Sequence, residues 1–174
     1  MERPRIQASV VFLQDEDGRL CLARKKQPIH HDGGAIEYSL GLYNGYGGKM
    51  EDTDEDIFDT AVRELYDESG VDVEWSDLSI MSRVYFYITK DEVTTPFMTV
   101  SFFFVSAWGG EPKEGDEMGP PTFFAPSDIP YDAMMPADKI LVSKMLEGKP
   151  FVAEVYLKGK GVEPDVVYIN EALS

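Results

Sequence analysis

Cysteine is nearly absent from this chain. Cys21 stands alone among 174 residues, so no internal disulfide can form. It falls in an apolar strand-like run, where a small buried hydrophobe is the expected role. Positive charge is also scarce. Lysine and arginine number 16 against 32 aspartates and glutamates, for a net charge of −16. A nucleic-acid polymer or an anionic membrane would be repelled by such a surface. A small anion is not excluded, because a bound divalent ion inverts the local potential. No apolar run approaches the roughly 20 residues a membrane helix needs. The N-terminus, MERPRIQASV, has no signal-peptide pattern, so a cytoplasmic location is expected.

Several catalytic signatures are missing. There is no Gly-x-Ser-x-Gly, no His-Glu-x-x-His and no Cys-x-x-Cys, so covalent catalysis has no constellation to rest on. Gly48-Lys49 is not a phosphate loop: Tyr43 stands where the first glycine belongs, and Met50 is neither Ser nor Thr. Asp52, Asp54 and Asp56 open like a calcium loop. Its glycine and its terminal glutamate would then be Ile57 and Arg63, which excludes it. His30 and His31 are adjacent, so on a strand or helix they would point apart and share no metal.

What is present centres on Gly47 to Val71, GGKMEDTDEDIFDTAVRELYDESGV. Ile57, Phe58, Ala61, Val62 and Leu65 form one stripe at helical spacing. Thr53, with Asp56 three residues on, predicts the helix start, and Gly70 predicts a left-handed stop. Glu64, Asp67 and Glu68 share the opposite face, three and four residues apart. Such crowding destabilises a helix by a few tenths of a kcal/mol per pair, and more so near a C-terminus that disfavours anions. Arg63 offsets part of this. A divalent cation such as Mg²⁺, which takes carboxylates, carbonyls and water, would remove the penalty. A solvated acidic face is the alternative reading of the same spacing.

The rest of the chain alternates strands with few helices, over a length and composition that fit one domain, residues 1–174. Ile6–Leu13 and Arg19–Arg24 read as a hairpin over Asp15-Glu16-Asp17-Gly18. Lys25 and Lys26 follow; at a strand end they read either as phosphate contacts or as surface charge. Residues 27–40 read as a long loop, a lid or binding loop by its length. Short strands are expected at 42–46 and 71–75, and longer ones at 78–89 and 97–108, the last buried on both faces. Residues 121–124, 151–157 and 162–169 complete the strands, and Pro136 to Leu146 reads as a second helix. The pattern is a mixed α/β or α+β sheet with two main helices.

The central stretch resembles the Nudix box, G-x5-E-x7-R-E-U-x-E-E-x-G-U, with U a bulky aliphatic. Glu55, Arg63, Glu64, Leu65, Glu68, Gly70 and Val71 match; Asp67 replaces the first glutamate of the E-E pair, and six residues rather than five separate Gly48 from Glu55. The resemblance implies an α/β/α sandwich around a central mixed sheet and a hydrolase using Mg²⁺, with Mn²⁺ as a substitute. Within the family the chain is similar, roughly from Ser9 to Asp165, to the 8-oxo-dGTP diphosphatases, which hydrolyse oxidised purine nucleoside triphosphates. It carries Tyr43-Asn44-Gly45-Tyr46-Gly47-Gly48-Lys49, Asp116-Glu117-Met118 and Met135-Pro136-Ala137-Asp138 at the corresponding places.

The resemblance implies metal ligation by Glu64, Glu68, Glu117 and the Gly48 carbonyl. It implies water activation by Asp67 or Glu68, with Arg63 holding Glu55 or Glu64. It implies a purine pocket of Asn44, Phe103, Met135 and Asp138, to which Lys25, from its place at a strand end, would add a phosphate contact. Two departures stand in that pocket: Met135 replaces a tryptophan, and Ala137 replaces the first of two acids. Other nucleoside diphosphate derivatives, among them ADP-ribose and nucleotide sugars, are the alternative substrates. A non-catalytic nucleotide-binding module would keep the fold without the chemistry.

Overall fold

One strand buried on both faces positions everything else. The structure is a computed structural model that describes residues 6–31, 34–36, 39–88, 96–158 and 163–170. Strand β8 (Met98–Val105) is buried along nearly its whole length. Val100, Phe102 and Phe104 face one apolar core, while Phe103 and Val105 face a second. A strand buried at successive positions lies inside a sheet covered on both faces.

Around it, β1 (Ile6–Leu13), β6 (Tyr46–Lys49), β7 (Leu78–Ile88), β10 (Phe151–Leu157) and β11 (Asp165–Tyr168) complete a mixed sheet in the order β11-β10-β7-β8-β1-β6. The β1–β8 and β10–β7 pairs are parallel, and the other three are antiparallel. A second sheet, in the order β5-β2-β9, is built from β2 (Leu20–Arg24), β5 (Tyr43–Asn44) and β9 (Thr122–Phe124). Between its first two strands, β3 (Ile29–His31) and β4 (Gly34–Ile36) form a small hairpin, paired Ile29 to Ile36. The segment expected as a loop therefore contains two short strands. Ser39 closes its base: its buried Oγ accepts from the Ile29 amide at 2.7 Å and donates to the Ile36 carbonyl at 2.6 Å.

Helix α1 (Ile57–Ser69) covers one face of the large sheet with Ala61 and Leu65, packed with Val11, Leu13, Tyr46, Val71 and Phe103. Helix α2 (Asp138–Met145) covers the other with Leu141, Val142 and Met145 against Phe12, Leu22 and Phe151. The result is the expected α/β/α sandwich.

Helix α1 ends where expected, at Gly70 in the left-handed region with φ 76°. It begins later than expected. Asp56, not Thr53, is the N-cap, accepting from the Phe58 and Asp59 amides. A carboxylate at that end also meets the positive end of the helix dipole. Residues 71–75 form no strand. Asp72 makes an isolated bridge with Gly109, and Trp75–Asp77 is a single 3-10 turn. Residues 159–162, between the strands expected at 151–157 and 162–169, and Thr89, the end of the strand expected at 78–89, lie outside the described residues. No helix among the described residues is long and apolar enough to cross a membrane.

Cys21 is fully buried, and burial pushes its thiol up to about 11 despite a contact with the Tyr46 hydroxyl at 3.9 Å.

Candidate active site

Two glycines let β6 approach its neighbours. Gly47 and Gly48 pair with Val10 and Ser9 of β1. A side chain at Gly47 would overlap the Ser9 carbonyl, and a Cβ at Gly48 would lie 2.5 Å from the Glu64 carboxyl carbon. The backbone of β6 thus runs directly beneath the acidic face of α1, which explains why glycine occupies both positions.

Glu64 and Glu68, one turn apart on α1, meet Glu117 from the loop before β9. One carboxylate oxygen from each falls within 4.8 Å of the others. Glu68 is 6% exposed, and its Oε2 has no hydrogen-bond partner among the described residues. Burial pushes its carboxyl up to about 8; Lys25 pulls against this, while Glu117 and Glu64 add to it. Burial also raises Glu64, opposed by Arg63. An orphaned buried carboxylate oxygen in company with two other carboxylates is a costly arrangement that a bound cation would relieve. The donor set is all oxygen and suits a hard divalent cation, so these residues fit the metal that the fold implies.

Arg63 does not take Glu55. It donates to Asp54 from Nε at 3.0 Å and Nη2 at 2.7 Å, and to Glu64 from Nη1 at 2.6 Å. It also reaches the Lys49 carbonyl at 3.2 Å. Asp54 is further tied by the Thr60 hydroxyl and the Glu51 amide, and Arg63 holds its carboxyl well below the usual range. Glu55 is exposed, and its backbone amide donates to Asp59. Asp67 is exposed and stands outside the three-carboxylate group.

A cavity of about 640 Å³ adjoins the carboxylates. Lys25, Asn44, Gly48, Glu64, Glu68, Glu117, Met135 and Asp138 all line it. Asp138 is buried, its Oδ2 lacks a partner among the described residues, and burial raises its carboxyl to about 7. Asn44 uses its Oδ1 to accept from the Gly45 amide at 2.8 Å, which directs its amide nitrogen away from that contact.

Phe103 corrects the sequence reading. It is fully buried on the α1 side, 5.1 Å from the Phe58 ring centroid, and does not line the cavity. Phe102, pointing the other way, does, together with Phe86, Met98, Val100 and Leu157. Sequence reasoning also missed Ile29, His30 and Ile36, which the small hairpin brings to the cavity wall. Strand propensity at Ile29 and Ile36 was the available signal. The side chain of His31 lies outside the described residues.

The fold, the glycine-flanked carboxylate helix and the adjoining cavity define a Nudix-type hydrolase, and the chain belongs to that family: the NUDIX domain matches residues 3–145. The chain is 32% identical over 147 residues to the oxidized purine nucleoside triphosphate hydrolase of Danio rerio, covering 84% of each chain. To that of Mus musculus it is 31% identical over 152 residues, covering 87% of this chain and 85% of the other. Among solved structures it resembles a mutator MutT protein from Bacillus halodurans, with TM-score 0.73 at 17% identity, over 96% of this chain and 99% of that one.

Proposed function

We propose that this hydrolase cleaves a purine nucleoside triphosphate, preferentially an oxidised one such as 8-oxo-dGTP, to the monophosphate and pyrophosphate, with Mg²⁺ as cofactor and Mn²⁺ as a substitute. The observation that carries the reading is that the Glu64, Glu68 and Glu117 carboxylates share one cavity with the buried, unpartnered Asp138 carboxyl. One end chemistry suits a charged polyphosphate with its cation. The other suits a heterocycle offering a hydrogen-bond donor or acceptor.

Glu64, Glu68, Glu117 and the Gly48 carbonyl would hold the metal. When bound, divalent ions neutralise the phosphate oxygens and lower the pKa of the attacking water. Phosphoryl transfer asks chiefly for positioning and charge stabilisation, so no protein nucleophile is needed. Arg63 locks the Glu64 rotamer. Lys25 adds a positive charge beside the cluster, where a phosphate oxygen would gain it. Glu68, with its unpartnered Oε2, takes the proton of the attacking water; Asp67, exposed and outside the cluster, shapes the local potential. Asn44 and Asp138 hydrogen-bond the base, and Phe102, Met98 and Met135 provide apolar surface for it.

A second reading keeps the chemistry and changes the leaving group. Ala137 leaves Asp138 as the single acid at this end of the cavity, and the Ile29–Ile36 hairpin adds an apolar wall, so a nucleoside diphosphate derivative such as ADP-ribose could be accommodated. Product release with Mg²⁺ across 8-oxo-dGTP, dGTP, dATP, ADP-ribose and UDP-glucose separates the two. Preference for the oxidised purine over dGTP supports the first. Turnover of ADP-ribose or UDP-glucose in its place supports the second. No turnover, with no divalent binding, leaves a nucleotide-binding module.

A further inference from the structure

Lys25 and Lys26 are adjacent in sequence and have separate surroundings. Lys25 forms an isolated bridge with Met118, and the backbone bends at Lys26. Lys25 lines the cavity and acts on Glu68. Lys26 reaches instead into the loop that carries Glu117. Its Nζ donates to the Gly115 carbonyl at 2.8 Å and pairs with Glu114 Oε1 at 2.7 Å. Its backbone amide donates to the carbonyl of Glu117 itself, also at 2.8 Å. The loop closes on itself through the Gly115 amide and the Met118 carbonyl at 3.0 Å, with Met118 fully buried below. Glu117 therefore sits in a turn fixed on one side by the core and on the other by Lys26.

We infer that Lys26 is a positioning residue for the third carboxylate of the metal site, setting divalent affinity without touching metal or nucleotide. The inference rests on the metal reading given above. Glu64 and Glu68 are fixed by a helix, whereas Glu117 is on a loop, so its placement depends on what tethers that loop. Backbone bonds hold that loop at Lys113–Ser69, Lys26–Glu117 and Gly119–Arg24, and the Lys26 side chain adds a tether at Gly115, two residues before the ligand. Outer partners of this kind typically tune metal affinity by about 10–100-fold.

Two physical effects of removing Lys26 have opposite signs. As a mere positive charge near three carboxylates it would repel a cation, and its loss would tighten binding. As a tether for Glu117, its loss weakens binding. Lys26→Met keeps the aliphatic stem and removes the ammonium. Titrating Mn²⁺ alone into the full-length protein, followed by calorimetry and by the spin-resonance signal of free Mn²⁺, reads the affinity directly. The expected result is roughly tenfold weaker binding. Activity should recover at excess metal, with the KM for nucleotide at saturating metal unchanged. Glu114→Gln, which loses the ion pair and leaves the Gly115 contact, should bind like the parent protein. Lys26→Met binding as tightly as the parent, or more tightly, would overturn the inference. A parent protein that binds no Mn²⁺ would overturn the metal reading first, and this with it.

Discussion

Arg63 grips Asp54 with two nitrogens across nine residues of chain, at 3.0 and 2.7 Å, while a third nitrogen holds Glu64 at 2.6 Å. The acidic loop before α1 and the first carboxylate of the cluster are thereby joined by one guanidinium. Asp54→Ala should destabilise the protein by about 1–3 kcal/mol, since it leaves a partly covered arginine without its main acceptor. It should also weaken divalent binding by roughly tenfold, through the freed Glu64. Glu55→Ala should change stability by no more than about 0.5 kcal/mol. Thermal melting and a metal titration on both variants check this. An Asp54→Ala protein as stable as Glu55→Ala would refute the Arg63 assignment.

Glu68→Gln should separate stability from activity. The folded state raises this carboxyl to about 8, so ionising it works against folding at neutral pH. Glutamine removes that penalty, and the metal-free variant should melt higher at pH 8 than the parent. Its kcat should fall at least about 100-fold, because several kcal/mol of charge stabilisation depend on the site it helps to form. A variant with full activity would remove Glu68 from the mechanism.

The metal-free protein should lose stability as pH rises from about 5 to 8. Glu68 and Asp138 both titrate higher in the folded state than in the unfolded chain, at about 8 and about 7. Over that interval the folded protein retains protons that the unfolded chain releases, so rising pH favours unfolding. Asp54 runs the other way: its lowered carboxyl contributes stability that disappears only in more acidic solution. Melting temperature measured against pH in the presence of a chelator should therefore peak near about pH 5. A flat profile from 5 to 8 would contradict both raised values.

Divalent binding should release a proton. A carboxylate must be ionised to hold the ion, and Glu68 is substantially protonated at pH 7 without it. Calorimetry of Mg²⁺ binding in two buffers of different ionisation enthalpy should give about one proton per binding event at pH 7, diminishing towards pH 9. Identical heats in both buffers would show that no carboxyl changes state.

Asp138→Asn should raise KM for a purine triphosphate by roughly tenfold, the loss of one hydrogen bond to a buried group, and leave kcat within a few-fold. At pH 8 the variant should also melt higher, since an unpartnered buried carboxylate has been removed. An unchanged KM would take Asp138 out of base recognition.

How far these residues could be read from the chain differs by kind of signal. The α1 stripe, the Gly70 stop and the clustering of Glu64 with Glu68 follow from one helical period, which fixes a face without further information. The mixed sheet with two main helices was legible from strand and helix patterning, and the sandwich followed from the resemblance to the Nudix box. Burial on both faces of β8 hid the side assignment of its phenylalanines. Phe102, Phe103 and Phe104 are chemically identical, and register against β1 alone decides which faces the cavity. The helix start moved from Thr53 to Asp56 because the Asp56 carboxylate itself accepts from the Phe58 and Asp59 amides. The β3–β4 hairpin was obscured by its Pro and Gly content. Its position on the cavity wall depends on a tertiary contact, Ser39 with Ile29 and Ile36, that no local pattern announces.

Cys21, sealed in the core with its thiol held at about 11, has a practical consequence. At pH 7.5 only about one part in several thousand would be thiolate, and even that is out of contact with solvent. The native chain is thus already a silent background for thiol chemistry. A single cysteine introduced on an exposed position could be labelled with a fluorophore at one defined place, without first removing the native residue.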